Sequence, residues 1–348
     1  MKLYLSSMYI HDKIQTFDEL VNKVPPRYIE LFLDTNLCIL LRDFYREPQS
    51  IVNRPDNIWD TLRDLLKYIE IHDLIVDYSL GIEEACRNKN DFSINRVKVQ
   101  EMTSCIGGLF SLSYFEMLEH SKLIKFTPPV KDTSSLKDSK LDSLESNSSF
   151  QSLLFVNYSS LLKLLILDKQ TNKTTVEKMI EYVDFLDNGV NLVGGANLLF
   201  GYHYFGGSSE VKKLIHKLGR DISKALHAIW NASIDLTFPT LVSQTFGKNN
   251  TVPIFVTADE KLYQVFDSMK MRVMIRDGTT DVLPPFIEIN LREAGWSNSD
   301  FNIIDRYVDR IQHKRKMHFI ENKFNKEDLL DSLRVLCFKL ENEIKGIW

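Results

Sequence analysis

Two short apolar runs in this chain end in the same way. Ile29-Glu30-Leu31-Phe32-Leu33 runs into Asp34-Thr35-Asn36, and Val252-Pro253-Ile254-Phe255-Val256 runs into Thr257-Ala258-Asp259. A short apolar run that stops at polar residues reads as a buried strand opening into a loop. Pro253 is tolerated near the start of a strand or at an edge. In an open α/β sheet, chemistry collects at the carboxyl ends of the strands, so an acid there is placed to hold a metal or polarise a substrate. Each acid also has a simpler reading, as the cap of the helix that follows. What decides between the two is whether further acids recur between the strands.

They do. Tyr78 to Arg87 reads as a helix carrying Glu83 and Glu84. Adjacent helical residues point about 100° apart, so one of the two faces any given cleft. Asp221 to Ala232 reads as a second helix, with Ile222, Ala225, Leu226, Ile229 and Trp230 as its apolar positions. The order is strand-Asp, helix-Glu, helix-Asp, strand-Asp.

In this order the chain resembles the PIN-domain nucleases, relatives of toxin ribonucleases and of RNA-processing and decay endonucleases. The matching pieces are Phe32-Leu33-Asp34-Thr35-Asn36, Leu80-Gly81-Ile82-Glu83-Glu84-Ala85, Asp221-Ile222-Ser223-Lys224-Ala225-Leu226-His227, and Phe255-Val256-Thr257-Ala258-Asp259-Glu260-Lys261-Leu262. The resemblance implies an α/β fold with a small central, mainly parallel sheet flanked by helices. It implies a metal-dependent endonuclease that hydrolyses phosphodiester bonds, with Asp34, Glu84, Asp221 and Asp259 as catalytic residues and ligands of Mg²⁺ or Mn²⁺. Glu83 is the alternate to Glu84. Members often carry an acid where Lys224 stands, so Asp221 substitutes one turn earlier, with Asp235 in reserve. Thr257 and Asn36 are expected to hydrogen-bond the liganding acids. Nucleic acid is the implied partner, RNA in preference to DNA. The alternative is a PIN-like module without catalysis that binds RNA or a protein.

The implied division is a nuclease core at 1–90 and 209–280, a large helical insertion at 91–208, and a C-terminal helical extension at 281–348. Within the first part, Leu37 to Tyr45 continues the apolar run of the opening strand. Leu62, Leu65, Leu66 and Ile69 give Ile58–Ile71 helical spacing, and His72–Asp77 is a short strand-like or linking piece. In the insertion, Lys131–Ser152 has serine at eight of 22 positions and reads as a loop. Helical patterns follow at Leu153–Leu167, Val176–Leu186 and Glu210–Lys217. Tyr263–Met269 reads as a helix and Met271–Ile275 as a strand. Arg310, His313, Lys314, Arg315, Lys316 and His318 form a basic run that reads as a solvated face or a phosphate contact. Leu329, Leu333, Leu336, Leu340 and Ile344 line a final amphipathic helix, with Asn325 and Asp328 as a capping arrangement. This helix and the insertion are the places for a protein partner.

Composition sets outer limits. With 44% hydrophobic residues a sizeable core is available. A formal net charge of −4 argues against a generally basic coat but leaves room for a local groove. Cys38, Cys86, Cys105 and Cys337 have no CxxC spacing, which argues against a zinc knuckle and a disulfide scaffold and fits a reducing compartment. The first residues lack the pattern of a secretory signal, and no segment is long and apolar enough to span a bilayer, so the expected location is cytoplasmic. A dinucleotide fold would need GxGxxG after the first strand, and neither it nor a P-loop is present. A dehalogenase-type phosphatase would need an Asp where Asn36 stands.

Overall fold

The computed structural model describes residues 1–88, 94–128, 148–191, 195–207, 212, 221–245, 251–267, 269–273, 286–289, 294–320 and 329–348. The chain divides into two units: Met1–Asn147 with Val242–Asp267, and Ser148–Leu241 with Ser268–Trp348.

The first unit holds a four-stranded sheet in the order β1-β4-β2-β3. The strands are β1 (Tyr4–Ser6), β2 (Ile29–Leu33), β3 (Ile75–Asp77) and β4 (Val252–Thr257). The central strand β2 runs parallel to both β3 and β4, and β1 pairs antiparallel with β4. All five residues of β2 are buried, as its near-continuous apolar sequence requires. Its one polar member, Glu30, accepts the hydroxyl of the buried Thr251. The chain is thus mixed α/β, with a small sheet flanked by many helices.

Helices α1 (Phe17–Lys23), α2 (Thr35–Arg46), α3 (Pro48–Val52), α4 (Ile58–His72), α5 (Ser79–Cys86), α6 (Arg96–Phe110) and α7 (Tyr114–His120) belong to this unit. The apolar run Leu37–Tyr45 is not a continuation of the strand. It forms most of α2, whose buried positions 35, 37, 38, 41, 44 and 45 recur at helical spacing. An apolar run of this length fits either element, and the period of burial separates them. In α4, Ile58, Leu62, Leu65, Leu66 and Ile69 are buried, and the helix stops at Asp73 in the left-handed region, φ 49°.

The division differs from the expected one, and the expected core range 209–280 is itself split, with 209–241 and 268–280 in the second unit and 242–267 in the first. Val99, Met102, Cys105, Ile106 and Leu109 of α6 and Met117 of α7 lie in the same apolar core as β2 and α2, so these helices are not a separate insertion. Helical periodicity reveals an apolar face, not the surface it covers. The strand near Met271 is β5 (Met269–Val273), which pairs antiparallel with β6 (Phe286–Ile289) as a separate sheet in the second unit.

The second unit also contains α8 (Ser148–Asp168), α9 (Thr175–Asn188), α10 (Gly195–Gly206), α11 (Ile222–Thr245) as far as Leu241, α13 (Asn298–Ile320) and α14 (Leu329–Ile347); the end of α11 from Val242 and α12 (Glu260–Asp267) belong to the first unit. Leu333, Cys337, Leu340 and Ile344 of α14 are buried, and Tyr158 of α8 donates to Glu341 at 2.8 Å. The C-terminal helix therefore packs within its own unit. The last positions of the serine-rich stretch open α8. Its earlier part, Glu210, most of the expected helix at Glu210–Lys217, and Asn325 with Asp328 lie outside the described residues. Among the described residues, no helix is long and apolar enough to cross a membrane.

Candidate active site at the carboxyl edge of the sheet

The register of the parallel strands brings the first acids together. Leu33 pairs with Val256, and the Asp34 N–H donates to the Val256 carbonyl at 3.0 Å. Asp34 and Thr257 therefore emerge side by side, and the Thr257 hydroxyl donates to Asp34 Oδ2 at 2.8 Å. The same hydroxyl accepts from the Asp259 N–H at 2.9 Å, so Thr257 links the two acids.

Asp34 occupies the capping position of α2, but its side chain makes no capping hydrogen bond. The carboxylate is 4% exposed. Burial pushes its pKa up to about 6; hydrogen bonds from Thr257, the Thr35 backbone and Asn36 oppose the rise, and the charge of Asp259 adds to it. Among the described residues Asp34 has no cationic partner. Asp259 is placed differently: its Oδ1 caps α12, accepting from the N–H groups of Lys261 at 2.8 Å and Leu262 at 3.2 Å.

Helix α5 supplies the next acid. The Thr35 hydroxyl hydrogen-bonds Glu84 Oε2 and lies 3.2 Å from the Gly81 carbonyl oxygen. Glu83, its neighbour, is buried and ion-paired with Arg87. The close approach of α5 depends on Gly81. A Cβ there would lie 2.6 Å from Cys38 Sγ and 2.8 Å from the Leu33 carbonyl oxygen, and the second of these is backbone that cannot step aside. Gly81→Ala is expected to cost about 1–3 kcal/mol of stability by overpacking. It should also shift Glu84. Denaturant unfolding and hydrogen exchange of the α5 amides in the purified variant would check both, and an unchanged protein would show that the contact relaxes freely.

A fourth acid stands on the same edge and was not among the expected residues. Asp77 ends β3, pairing with Phe32, and its Oδ1 accepts from Ser79 N at 2.7 Å and Ser79 Oγ at 2.6 Å. The buried Cys38 thiol reports the grouping: burial first, then the charges of Asp34, Glu84 and Asp77, hold its pKa well above the ordinary value. Such a thiol is unreactive. The signal for Asp77 was present in Ile75-Val76-Asp77, a third apolar run ending in an acid, but three residues are too few for pattern to separate a strand from a link.

The structure thus places Asp34, Asp77, Glu84 and Asp259 in one unit. Asp221 and Asp235 belong to the other unit. Asp221 is half-exposed, and its Oδ1 accepts from the N–H groups of Ser223 at 2.9 Å and Lys224 at 3.4 Å, opening α11 as a cap. The basic run of α13 is partly committed: Arg315 binds Asp187 at 2.8 Å, Lys314 approaches the same carboxylate at 3.3 Å, and Arg310 lies over the Tyr307 ring. The side chains of Lys316 and His318 lie outside the described residues.

Among the described residues, no group of three or more His, Cys, Asp or Glu side chains is arranged to hold a metal ion. Mg²⁺ does not require one. It keeps several waters and is commonly held by one or two carboxylates together with substrate phosphate oxygens. A buried anion without a cationic partner, beside a second carboxylate, fits such an ion. No family model, curated protein or solved structure matches the chain.

Proposed function

We propose that the protein is a PIN-like, metal-dependent endonuclease acting on RNA, with its site at the carboxyl edge of β2, β3 and β4. The observation that carries the reading is Asp34: a buried carboxylate, not used as a cap, without a cationic partner among the described residues, and linked to Asp259 through Thr257. Asp34 and Asp259 would hold Mg²⁺ or Mn²⁺. When bound, the ion supplies positive charge to a phosphoryl oxygen and lowers the pKa of a coordinated water.

The residues of the chain do the rest. Thr257 fixes the orientation of Asp34, and Thr35 fixes that of Glu84, so neither carboxylate swings away as charge changes at the edge. Glu84 and Asp77 would orient a water or accept its proton. Their combined charge repels a phosphate until a cation is present, which makes cleavage dependent on metal. The second reading, a binding module without catalysis, draws on the lack of a three-ligand group among the described residues.

One experiment separates the two. The purified protein is incubated with labelled RNA in Mg²⁺, Mn²⁺ or EDTA, alongside Asp259→Asn. The expected result is cleavage with either metal, none in EDTA, and a loss of roughly tenfold or more in the variant. RNA binding without cleavage in either metal would leave the module reading in place.

A further inference from the structure

The acids of this edge are bracketed by aromatic rings. Because β1 is antiparallel, its first residue reaches the edge where the parallel strands end, and Tyr4 pairs with Thr257. Its ring stacks on Tyr263 of α12, with centroids 5.1 Å apart and planes 27° apart. Lys2 Nζ lies 4.8 Å from the Tyr4 ring centroid. Burial, then Glu260 and Asp259, raise the pKa of the Tyr4 hydroxyl, which places this ring beside the acids. At the other side, Tyr78 follows Asp77 directly and stacks on Phe110 of α6, with centroids 5.9 Å apart and planes 19° apart. Both rings line a cavity of about 350 Å³ that runs along β3.

None of these four rings is fully buried, in contrast to Phe32, Phe44 and Phe266 in the same unit. Core aromatics spend both faces on packing, whereas these leave surface open. The cavity walls carry Glu70 and Asp73; Glu70 Oε2 accepts from the Tyr114 N–H at 2.7 Å, and Lys67 Nζ lies 5.9 Å from the Tyr114 ring centroid. The other carboxylate oxygens of the wall are acceptors for the amino and imino groups on a base edge. The volume is within the range of small-ligand sites. Across the edge, four strands at roughly 4.8 Å spacing separate the outer rings by about 14 Å, a span of a few nucleotides.

We infer that the edge binds a single-stranded segment, with one unpaired base stacked at Tyr4 and Tyr263, another entering the cavity beside Tyr78 and Phe110, and the intervening phosphates over Asp34. The inference rests on the nuclease reading for the position of the phosphate. Lys2 supplies a cation for the backbone at the Tyr4 end. A duplex keeps both faces of its bases stacked and cannot share them with these rings.

The test uses full-length protein carrying Asp34→Asn, in Mg²⁺, with a fluorescein-labelled unstructured RNA 12-mer (about 12 nucleotides) and the same strand in duplex. The single strand is expected to bind at least roughly tenfold tighter. Tyr263→Leu and Phe110→Leu should each weaken it by roughly 5- to 100-fold. As a measurement that needs no further substitution, 2-aminopurine placed along the strand should lose emission on binding at two separate positions. Equal affinity for duplex, or ring-loss variants that bind normally without any quenching, overturns the inference. If ring-dependent binding appears but the unsubstituted protein cleaves nothing, the stacking sites stand and the nuclease reading falls. If cleavage proceeds without ring dependence, the reverse holds.

Discussion

Asp34→Asn is expected to abolish metal-dependent cleavage and at the same time to make the protein more stable at neutral pH. The loss follows from removing the carboxylate that would hold the ion. Several kcal/mol of charge stabilisation in the transition state then disappear, roughly a thousandfold in rate. The gain follows from burial. The Asp34 carboxyl has its pKa raised from 3.8 to about 6 in the folded chain. Between those values the folded state holds a proton that the unfolded chain has released, so stability falls as pH rises through this window. The penalty is complete above pH ~6 and amounts to about 3 kcal/mol. An amide at this position does not ionise, but its NH₂ group meets the donors at Thr35 and Asn36, which returns part of the gain. The net expectation at pH ~7.5 is a stabilisation of about 1–2 kcal/mol, which shrinks as pH falls and turns into a destabilisation of about 1–2 kcal/mol near pH ~4, where the ionisation penalty is gone and the amide mismatch remains. Denaturant unfolding of the two proteins across this range checks the sign. Mg²⁺ should raise the melting temperature of the parent and not of the variant, since only a ligand of the folded state stabilises it. A variant that still cleaves, or a stability difference that does not vary with pH, would remove Asp34 from the centre of the site.

The second large effect lies one residue from Glu84. Glu83 and Arg87 form an ion pair on α5 with both side chains 1% exposed. Removing Arg87 takes the ion-pair partner from a buried carboxylate, so Arg87→Met is expected to cost about 3–5 kcal/mol. Replacing both, as Glu83→Leu with Arg87→Met, removes the charge and its desolvation together. That variant should lie within about 1 kcal/mol of the parent or above it. The pair also bears on the site. It joins the body of α5 to its C-cap and so reinforces the last turn of the helix that carries Glu84, which Thr35 holds by a hydrogen bond. Circular dichroism during denaturation, with hydrogen exchange of the α5 amides, would show whether the single variant loosens this helix. A single variant as stable as the double would mean that water or another group compensates the remaining charge.

Taken together, these expectations separate two jobs among acids that look alike in the sequence. Asp34 is buried where an ion or a proton must balance it. Glu83 is buried with its balance supplied by Arg87. Asp259 and Asp221 each spend an oxygen on capping a helix, but Asp259 is linked to Asp34 through Thr257, whereas Asp221 belongs to the other unit.

Much of the framework is legible in the chain itself. The largely apolar runs at Ile29–Leu33 and Val252–Thr257 are strands because near-continuous apolar stretches of that length are satisfied by burial on both faces. The spacing of Leu62, Leu65, Leu66 and Ile69 determines a helix for the same local reason. Gly81 is decided by tertiary contact: its lack of a Cβ matters only because Leu33 and Cys38 come to lie against it. The pairing of Leu33 with Val256 joins residues more than 200 positions apart, and no local pattern encodes that register. The same limit explains the misplaced boundary at α6, whose apolar face was plain while its partner was not. Sequence determined which residues end the strands in acids, since that is a property of neighbours along the chain. Only the tertiary structure decided that Asp77 shares the edge, that Asp221 belongs to another unit, and that Asp34 is buried without a cationic partner among the described residues, because each depends on what distant segments bring alongside.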